Sequence, residues 1–525
     1  MRKFNVTGLC VPNKHYMVDV GEKLFHIMNL IEDEQYFTIN RARQYGKTTT
    51  IFLLEKAFAS NPDYVCISIS FEGVGAAMFE SDENFCQHFL LLASRYLNME
   101  GHDFANDWLS EEVNNFTQLG EHVSKMCSGK RLVLMIDEVD STCKNSVFLR
   151  FLAMLRNLYL QRPRGKVNTF HSVLLAGVHD IKNIKLKLIT AGLHTLQHRE
   201  GEYNSPWNIA ADFEVEMYFN PQEISTMLAA YETDHKTGMD ITAVSEEIFR
   251  FTSGYPFWVS RICKCIDEEL QPKVWTISTV HDAIRLVTSK KNTLIDDLAK
   301  NLENNEDIYN MMFSMLITGE PVQFSIMNPD IERCHMYGYI SSNKLGYAMI
   351  SNKIYEMLLT DYFASKEKNS GLLERMVCSG LYNEVVANCK FNMALCLSRF
   401  AEHYRDIFTE RDRPFLEREG RLIFLSFLKP LLNGRGFFHI ESENTDMRRM
   451  DIVVDYMYEQ FIIELKLWRG EKAQASAYEQ LLDYMNRKHM NKGYLLTFDF
   501  RKEANREPKA EWVTIKGKEI FEVII

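Results

Sequence analysis

Near the C-terminus, charged side chains lie inside two runs of residues that otherwise have the pattern of buried β-strands. The first run is Asp451-Ile-Val-Val, and the second is Phe-Ile-Ile-Glu464-Leu-Lys466. A buried charge is costly unless it is paired or binds a metal. Because residues two apart in a strand share a face, Glu464 and Lys466 point the same way while Leu465 points into the core. We therefore expect each run to supply one carboxylate to a divalent cation, with the lysine beside them.

Residues on either side of these runs extend the pattern. Upstream, a segment with helical character carries Glu417 and Glu419 near its start. Glu417 leaves the better apolar face behind it, and the choice between the two acids stays open. Downstream, Gln480 and Tyr484 are four residues apart on a predicted helix and therefore share a face. The acids, the Glu-x-Lys pair and the Gln-x-x-x-Tyr element follow one another within roughly 70 residues.

In this order the residues resemble the PD-(D/E)XK nuclease superfamily. The resemblance implies a restriction-endonuclease-like α/β domain that hydrolyses phosphodiester bonds with Mg²⁺, or with Mn²⁺. It implies that Asp451 and Glu464 hold the metal with help from Glu417, and that Lys466 stabilises the charge of the transition state. Gln480 would complete the catalytic set. The alternative is a surface strand with a Glu/Lys ion pair.

A second group of residues lies near the N-terminus, where a β-rich run ends at Asn40. It is followed by Arg41-Ala-Arg-Gln-Tyr-Gly46-Lys47-Thr48 and then by a helical stretch. Strand, loop, Gly-Lys-Thr and helix is the order of a P-loop, whose backbone N–H groups and lysine bind phosphates and whose hydroxyl binds Mg²⁺. The loop departs from G-x-x-x-x-G-K-[ST] because Arg41 replaces the first glycine, which bears on the turn of the loop. The residues expected to bind ATP here are Arg43, Tyr45, Gly46, Lys47, Thr48 and Thr49.

An apolar strand with two acids at its end supports the P-loop interpretation. The run from Arg131 to Ile136 is followed directly by Asp137 and Glu138. It resembles a Walker B element, in which Asp137 would hold Mg²⁺ through water or Thr48 and Glu138 would orient the attacking water. The spacing fits an ATPase of the AAA or STAND type.

Further segments resemble a bacterial AAA-ATPase-like family that is often fused to a PD-(D/E)XK domain. They are Tyr16-Met-Val-Asp19, the phosphate loop, and Ser205-Pro-Trp-Asn-Ile-Ala. The segment Phe251-Thr-Ser-Gly254-Tyr-Pro256 resembles the Gly-x-Pro element of STAND ATPase lids. The resemblance implies ATP as a ligand and is compatible with a nucleotide-dependent homo-oligomer.

Strand-like runs alternate with helical stretches over the first 225 residues, which predicts a parallel α/β core. A helical lid and a helix–hairpin–helix region follow, then a polar linker. The predicted fold is therefore α/β and multidomain. Its parts are a P-loop ATPase core at 1–225, a helical lid at 226–299, a winged-helix-like module at 300–365, a helical connector at 366–410 and a PD-(D/E)XK nuclease-like domain at 411–525.

Composition narrows the function classes. A net charge of −11 argues against binding polyanions by bulk electrostatics, although basic residues cluster around the predicted nuclease and keep DNA as the expected partner. No run reaches the ~18 apolar residues of a membrane span, and the N-terminus lacks the apolar region of a signal peptide. We therefore expect a cytoplasmic protein that does not bind a membrane. Eleven scattered cysteines favour free thiols in a reducing compartment.

Two functions fit these patterns. The first is an enzyme in which ATP binding and hydrolysis gate a metal-dependent nuclease that cuts DNA. The second is a STAND-like ATPase switch whose C-terminal domain binds nucleic acid or a protein and cuts nothing. Two sets of motifs in one chain favour the first, whereas the acidic net charge and the open choice of the first carboxylate favour the second.

Overall fold

The computed structural model of the 525-residue chain forms two compact units. The first contains Met1–His235, Gly254–Arg261 and Met336–Gly338, and the second contains the remaining segments. The structure describes residues 2–139, 145–178, 207–318, 321–366, 384–387, 390–407, 417–432, 436–439, 452–457, 459–499 and 509–525. None of the helices in these ranges combines the length and the apolar character needed to cross a membrane.

The first unit is built on a parallel sheet with the strand order β1-β4-β3-β2. Ala211 adds an isolated parallel bridge to Phe37 of β1. Residues of β3 alternate between two apolar clusters, with Leu134 in one and Val133 in the other, so this strand is buried on both faces. The strands are β1 (Tyr36–Asn40), β2 (Tyr64–Ser70), β3 (Arg131–Asp137) and β4 (Ser172–Gly177). The predicted parallel α/β core is confirmed.

Helices cover the sheet of the first unit, and several begin at side-chain caps. Ser81, Asn115 and Asn145 each accept a backbone N–H from the first turn of a helix, which satisfies donors that the helix itself leaves open. The described helices are α1 (Gly21–Glu32), α2 (Lys47–Ala59), α3 (Asp82–Met99), α4 (Phe116–Met126), α5 (Ser146–Gln161) and α6 (Pro221–His235).

The second unit begins with a helical part that includes a short antiparallel hairpin. The hairpin, β5 (Ile340–Ser342) and β6 (Ala348–Ile350), confirms the hairpin predicted in this region. The next helices along the chain are α7 (Ile241–Thr252), α8 (Pro256–Cys265), α9 (Ile277–Ser289), α10 (Thr293–Asn304), α11 (Glu306–Phe313), α12 (Pro329–Met336) and α13 (Lys353–Lys366). Helix α8 begins within the first unit, and a π-helical turn, Ser314–Thr318, follows α11.

The C-terminal part of the second unit is a mixed six-stranded sheet with the order β13-β14-β12-β11-β10-β9. Strands β11, β12 and β14 are parallel to one another, and the other pairings are antiparallel. The strands are β9 (Gly436–His439), β10 (Ile452–Tyr456), β11 (Glu459–Leu467), β12 (Lys492–Phe498), β13 (Lys509–Ile515) and β14 (Lys518–Ile524). A short pair, β7 (Val386–Ala387) and β8 (Lys390–Phe391), precedes them.

Helices α14 (Met393–Ile407), α15 (Glu417–Leu432) and α16 (Glu471–Arg487) accompany this sheet. Helix α16 packs through Leu481 and its neighbours on the apolar residues of β10, β11, β12 and β14. Helix α15 joins the helical part of the unit to the sheet. Its buried Arg421 donates to the Ile317 carbonyl, and Lys429 Nζ lies 3.2 Å from Asp361 Oδ1 on α13.

A charged triad on α7 and α9 makes the stability of the helical part dependent on pH. Glu247 accepts hydrogen bonds from Arg250 and contacts His281. Burial opposes ionisation of this carboxyl, but the hydrogen bonds from His281 and Arg250 hold its pKa at about 2. A carboxyl with a folded pKa below its unfolded value of about 4.3 stabilises the fold above that pH, and the contribution is lost as the pH falls toward 2.

We therefore expect Glu247→Gln to lower the free energy of unfolding at pH 7 by on the order of 3 kcal/mol, and by progressively less below about pH 4.3. Urea titrations of both proteins at pH 7 and pH 3.5 measure the difference. The matched control is Glu246→Gln, because Glu246 is the exposed neighbour of Glu247. A loss that is equally large at both pH values would contradict the assignment.

Candidate nucleotide site and candidate metal site

The phosphate loop connects β1 to α2 and turns through two residues with positive φ, Gln44 at 61° and Gly46 at 81°. Gly46 caps α2, so the first N–H groups of this helix lie at the loop, where anions bind readily. Lys47 is buried, and its Nζ donates to the carbonyls of Arg41 at 2.9 Å and Ala42 at 3.1 Å. These are partners that an ammonium group can exchange for phosphate oxygens.

The two predicted metal-binding residues of this unit meet directly. Thr48 Oγ1 donates to Asp137 Oδ2 at 2.6 Å, although the residues are 89 positions apart. The other carboxylate oxygen of Asp137 accepts the Glu138 N–H at 2.9 Å. Glu138 has a φ of 54°, a conformation that is uncommon outside glycine and concentrated at functional sites. The structure thus brings together the hydroxyl and the acids that the sequence predicts for Mg²⁺ and water.

A cavity of about 530 Å³ opens beside the loop, and this volume is in the range of small-molecule sites. Its walls include Lys47, Thr48 and Glu138, together with Arg43, Tyr45 and Thr49 of the predicted set. Residues 5–20 line another side, and the Cys10 N–H donates to Thr49 Oγ1 at 3.2 Å. The phosphate-binding groups and the volume fit a nucleoside triphosphate with its cation. Glu72, which the sequence analysis missed, also lines this cavity.

Tyr45 links the phosphate loop to more distant segments of the same unit. Its ring centroid lies 5.2 Å from that of Tyr218 and 4.2 Å from that of Tyr255. The Tyr255 hydroxyl donates to the Arg43 carbonyl at 2.8 Å. Next to it, Gly254 accepts the Phe219 N–H at 2.8 Å. The predicted Gly-x-Pro element therefore contacts the loop that carries Lys47.

In the second unit, Glu464 and Lys466 of β11 share a face, as the period of two predicts. Glu464 is fully buried, and Lys466 Nζ lies 2.8 Å from its Oε1. Leu465 is buried on the other face. A carboxylate without contact to water and with a lysine beside it has the donor chemistry of a metal ligand.

The other predicted metal ligands are only partly described. Asp451 lies outside the described residues. Glu417 begins α15, but its side chain and that of Glu419 are outside the described set. Among the side chains that are described, no group of three or more His, Cys, Asp or Glu residues is arranged to hold a metal. Gln480 is half-buried on α16.

A polar network that the sequence analysis missed lies on the same face of this sheet. Leu495 pairs in register with both Glu464 and Glu522, which places the two acids on one face with β12 between them. Glu522 is buried and accepts hydrogen bonds from Gln474 at 2.6 Å and from Tyr478 at 2.5 Å. Burial and the hydrogen bond to Glu522 raise the pKa of the Tyr478 hydroxyl, so it remains a donor.

The network reaches the strand position beside Lys466. Thr497 pairs in register with Lys466 and contacts Gln474 Nε2 at 3.2 Å. Lys509 Nζ lies 3.3 Å from the second oxygen of Glu522. These contacts anchor the N-terminal half of α16 over the sheet next to the candidate metal site. A glutamine followed four residues later by a tyrosine, Gln474 and Tyr478, was a second match to the Gln-x-x-x-Tyr pattern and could have been found.

The fold of the first unit and its phosphate loop define a P-loop ATPase. Residues 26–365, more than half of the chain, match the AAA-like domain family, and the chain belongs to this family. Residues 437–507 match the PD-(D/E)XK nuclease superfamily. Both resemblances inferred from the sequence are thereby confirmed, as is the α/β fold.

Three solved structures illustrate the similarity of the chain to known proteins. The ORC2 protein of Aeropyrum pernix, in ADPNP–ADP complexes, is 13% identical over 66% of this chain and 96% of its own, with a TM-score of 0.34. RuvB of Thermotoga maritima, a Holliday junction branch migration motor, is 11% identical over 65% of this chain and 95% of its own, with a TM-score of 0.32. CDC6P of Pyrobaculum aerophilum is 11% identical over 65% of this chain and 93% of its own, with a TM-score of 0.29. None of the curated proteins compared with the chain matches it.

Among the glycines that the structure describes, Gly254 is the one where an added Cβ would lie nearest to another atom. Its φ is 74°, and a Cβ there would lie 1.8 Å from the Phe219 carbonyl oxygen. We expect Gly254→Ala to lower the free energy of unfolding of the first unit by about 3 kcal/mol or more, because backbone must move. Gly73 has a φ of 73° with nothing within 4 Å, so Gly73→Ala is a control that carries only the strain of about 1–2 kcal/mol. Calorimetry measures the melting temperature of each variant. Equal melting temperatures for Gly254→Ala and Gly73→Ala would refute the clash.

Tyr478→Phe removes one donor from the buried Glu522 carboxylate. Hydrogen bonds to charged groups contribute about 1.5–3 kcal/mol, and we expect a loss of stability in this range. Tyr494→Phe on β12 is the control, because the Tyr494 ring is also buried but its hydroxyl makes no hydrogen bond to the described residues. Chemical denaturation followed by tryptophan fluorescence gives both values, and equal stabilities of the two variants would argue against a stabilising network.

Proposed function

We propose that the chain is an ATP-gated, metal-dependent nuclease that hydrolyses phosphodiester bonds in DNA. The observation that carries the nuclease half is the fully buried Glu464 carboxylate beside the Lys466 ammonium group, in a domain of the PD-(D/E)XK superfamily. Burial of that pair is expensive for stability alone, which supports a functional reason for keeping it.

In the ATPase unit, the loop from Arg43 to Thr49 would bind the phosphates of ATP. Lys47 would leave the carbonyls of Arg41 and Ala42 for the outer phosphates. Thr48 and Asp137 would hold Mg²⁺, which neutralises phosphate charge when bound. Glu138, at the cavity wall, would orient and deprotonate the attacking water. Tyr45 would position the loop from behind through its contacts with Tyr218 and Tyr255.

In the nuclease domain, Asp451 and Glu464 would hold Mg²⁺ or Mn²⁺, with Glu417 as a third ligand. A metal bound there lowers the pKa of a coordinated water. Lys466, kept next to Glu464 by their ion pair, would stabilise the negative charge that develops on the phosphate. Gln480 on α16 would contact the substrate.

Helix α15 provides the physical basis for gating. Its first residue is the candidate ligand Glu417, and it is joined to the helical part through Arg421 and Lys429. The partners of these two side chains, Ile317 and Asp361, belong to the region matched by the AAA-like domain. A nucleotide-driven movement of that region would therefore shift the helix that carries Glu417.

The remaining features of the proposal rest on the sequence. We assign a helical lid to residues 226–299, a winged-helix-like module to 300–365 and a connector to 366–410. We also propose a bacterial, cytoplasmic setting and assembly of copies that depends on nucleotide.

The test is cleavage of plasmid and single-stranded DNA by full-length protein, with Mg²⁺ or Mn²⁺ and with or without ATP. We expect Asp451→Asn and Lys466→Ala to slow cleavage at least about a hundredfold, because each removes a charge that acts on the transition state. Lys492→Ala, an exposed lysine of the same sheet, is the matched control and should cut like wild type. Lys47→Ala should abolish the effect of ATP.

The outcomes separate the candidate functions. Asp451→Asn protein that cuts as fast as wild type would exclude the proposed nuclease site. ATP hydrolysis without cleavage under any condition would favour the switch, in which the C-terminal domain binds a partner.

A further inference from the structure

Arg41 stands where the P-loop pattern has its first glycine, and the structure shows why glycine is not required there. The Arg41 N–H donates to the Gly177 carbonyl at 3.1 Å and so continues the ladder between β1 and β4. The turn of the loop is made further on, at Gln44 and Gly46. The backbone at position 41 therefore needs no positive φ, and a large side chain is permitted.

The Arg41 guanidinium fastens the loop to a segment far away in the chain. Nη1 donates to the Asn40 carbonyl at 2.9 Å and Nη2 to the Val215 carbonyl at 3.2 Å. Its central carbon lies 5.4 Å from the ring centroid of Phe213, and that ring stacks on Phe37 of β1 with an interplanar angle of 2°. A planar group that bridges two carbonyls and lies on an aromatic ring makes a contact that lysine cannot reproduce.

The same residue holds Lys47 through its backbone. Lys47 Nζ donates to the Arg41 carbonyl and to the next carbonyl along the loop, and Lys47 lines the cavity. Arg41 itself is not among the residues that line the cavity. Burial lowers the pKa of its guanidinium, but an arginine keeps its charge in proteins, so the contact to Val215 persists.

We propose that Arg41 is a positioning residue for ATP, which fixes the phosphate loop against residues 213–215 and holds Lys47 ready for the outer phosphates. The inference rests on the proposed nucleotide site and assigns a role to the residue that breaks the pattern. It has an unusual consequence, because restoring the glycine of the general pattern weakens ATP binding.

The test compares full-length wild type, Arg41→Gly and Arg41→Lys. Affinities for fluorescent N-methylanthraniloyl derivatives of ATP and AMP are measured by titration. Hydrogen–deuterium exchange of residues 37–47 and 211–219 is measured without nucleotide. We expect both variants to bind the ATP derivative about tenfold more weakly, because each loses a hydrogen bond from a charged group. Binding of the AMP derivative, which lacks the outer phosphates, should change little, and exchange in both segments should rise.

The matched control is Arg131→Lys. Arg131 begins β3 and lies at the amino end of the parallel strands, whereas the phosphate loop follows the carboxyl end of β1. The central carbon of the Arg131 guanidinium lies 5.4 Å from the ring centroid of Tyr64, the same distance as for Arg41 and Phe213. The Arg131→Lys substitution should leave the affinities for both nucleotide derivatives and the exchange of residues 211–219 unchanged. A general loss of packing would instead weaken both nucleotides alike.

Arg41→Gly or Arg41→Lys protein that keeps its preference for ATP over AMP, with unchanged exchange in residues 211–219, would overturn the proposal. Equal losses for Arg41→Lys and Arg131→Lys would overturn it as well. If wild type binds neither nucleotide, the nucleotide site itself is wrong. In that case, the exchange of residues 211–219 still decides whether Arg41 fastens the loop.

Discussion

Thr48 and Asp137 are in contact because a parallel sheet places the carboxyl ends of its strands at one edge. Strands β1 and β3 both run toward that edge with β4 between them. Asp137 ends β3 there, and Thr48 returns to the same edge in the first turn of α2, after the phosphate loop. The cavity, the buried lysine of the phosphate loop and the acid after β3 all depend on this arrangement. A hydroxyl and a carboxylate 89 positions apart become neighbours through the direction of the strands and the turn of the phosphate loop.

The C-terminal sheet uses the same constraint with a different result. Strands β11, β12 and β14 are parallel and in register, so Glu464 and Glu522 face the same helix from two strands apart. One acid is paired with a lysine of its own strand, and the other is bound by side chains of α16 and by Lys509. Each charge has its own partners, which lets two buried carboxylates share one surface without competing for the same donors.

Local patterns in the sequence predicted the features that depend on neighbouring residues. Apolar runs located β1, β3, β10 and β11, and the period of two placed Glu464 beside Lys466. The Gly-Lys-Thr loop and the acids after β3 predicted the pairing of Thr48 with Asp137, since both motifs occur at strand ends. Contacts such as Gln474 with Glu522 and Arg41 with Val215 escaped prediction because they join residues 48 and 174 positions apart, and no motif marks Glu522 or Val215 as the partner.

The strand order of the C-terminal sheet also bears on when this site can form in a growing chain. Strand β14 lies between β12 and β13, although it follows both in sequence. The acceptor for Gln474 and Tyr478 is therefore made 48 and 44 residues after these two donors. Until Glu522 has left the ribosome, the N-terminal half of α16 lacks the carboxylate that accepts from Gln474 and Tyr478. A chain still being synthesised would thus carry a complete phosphate loop before the nuclease-like sheet is complete.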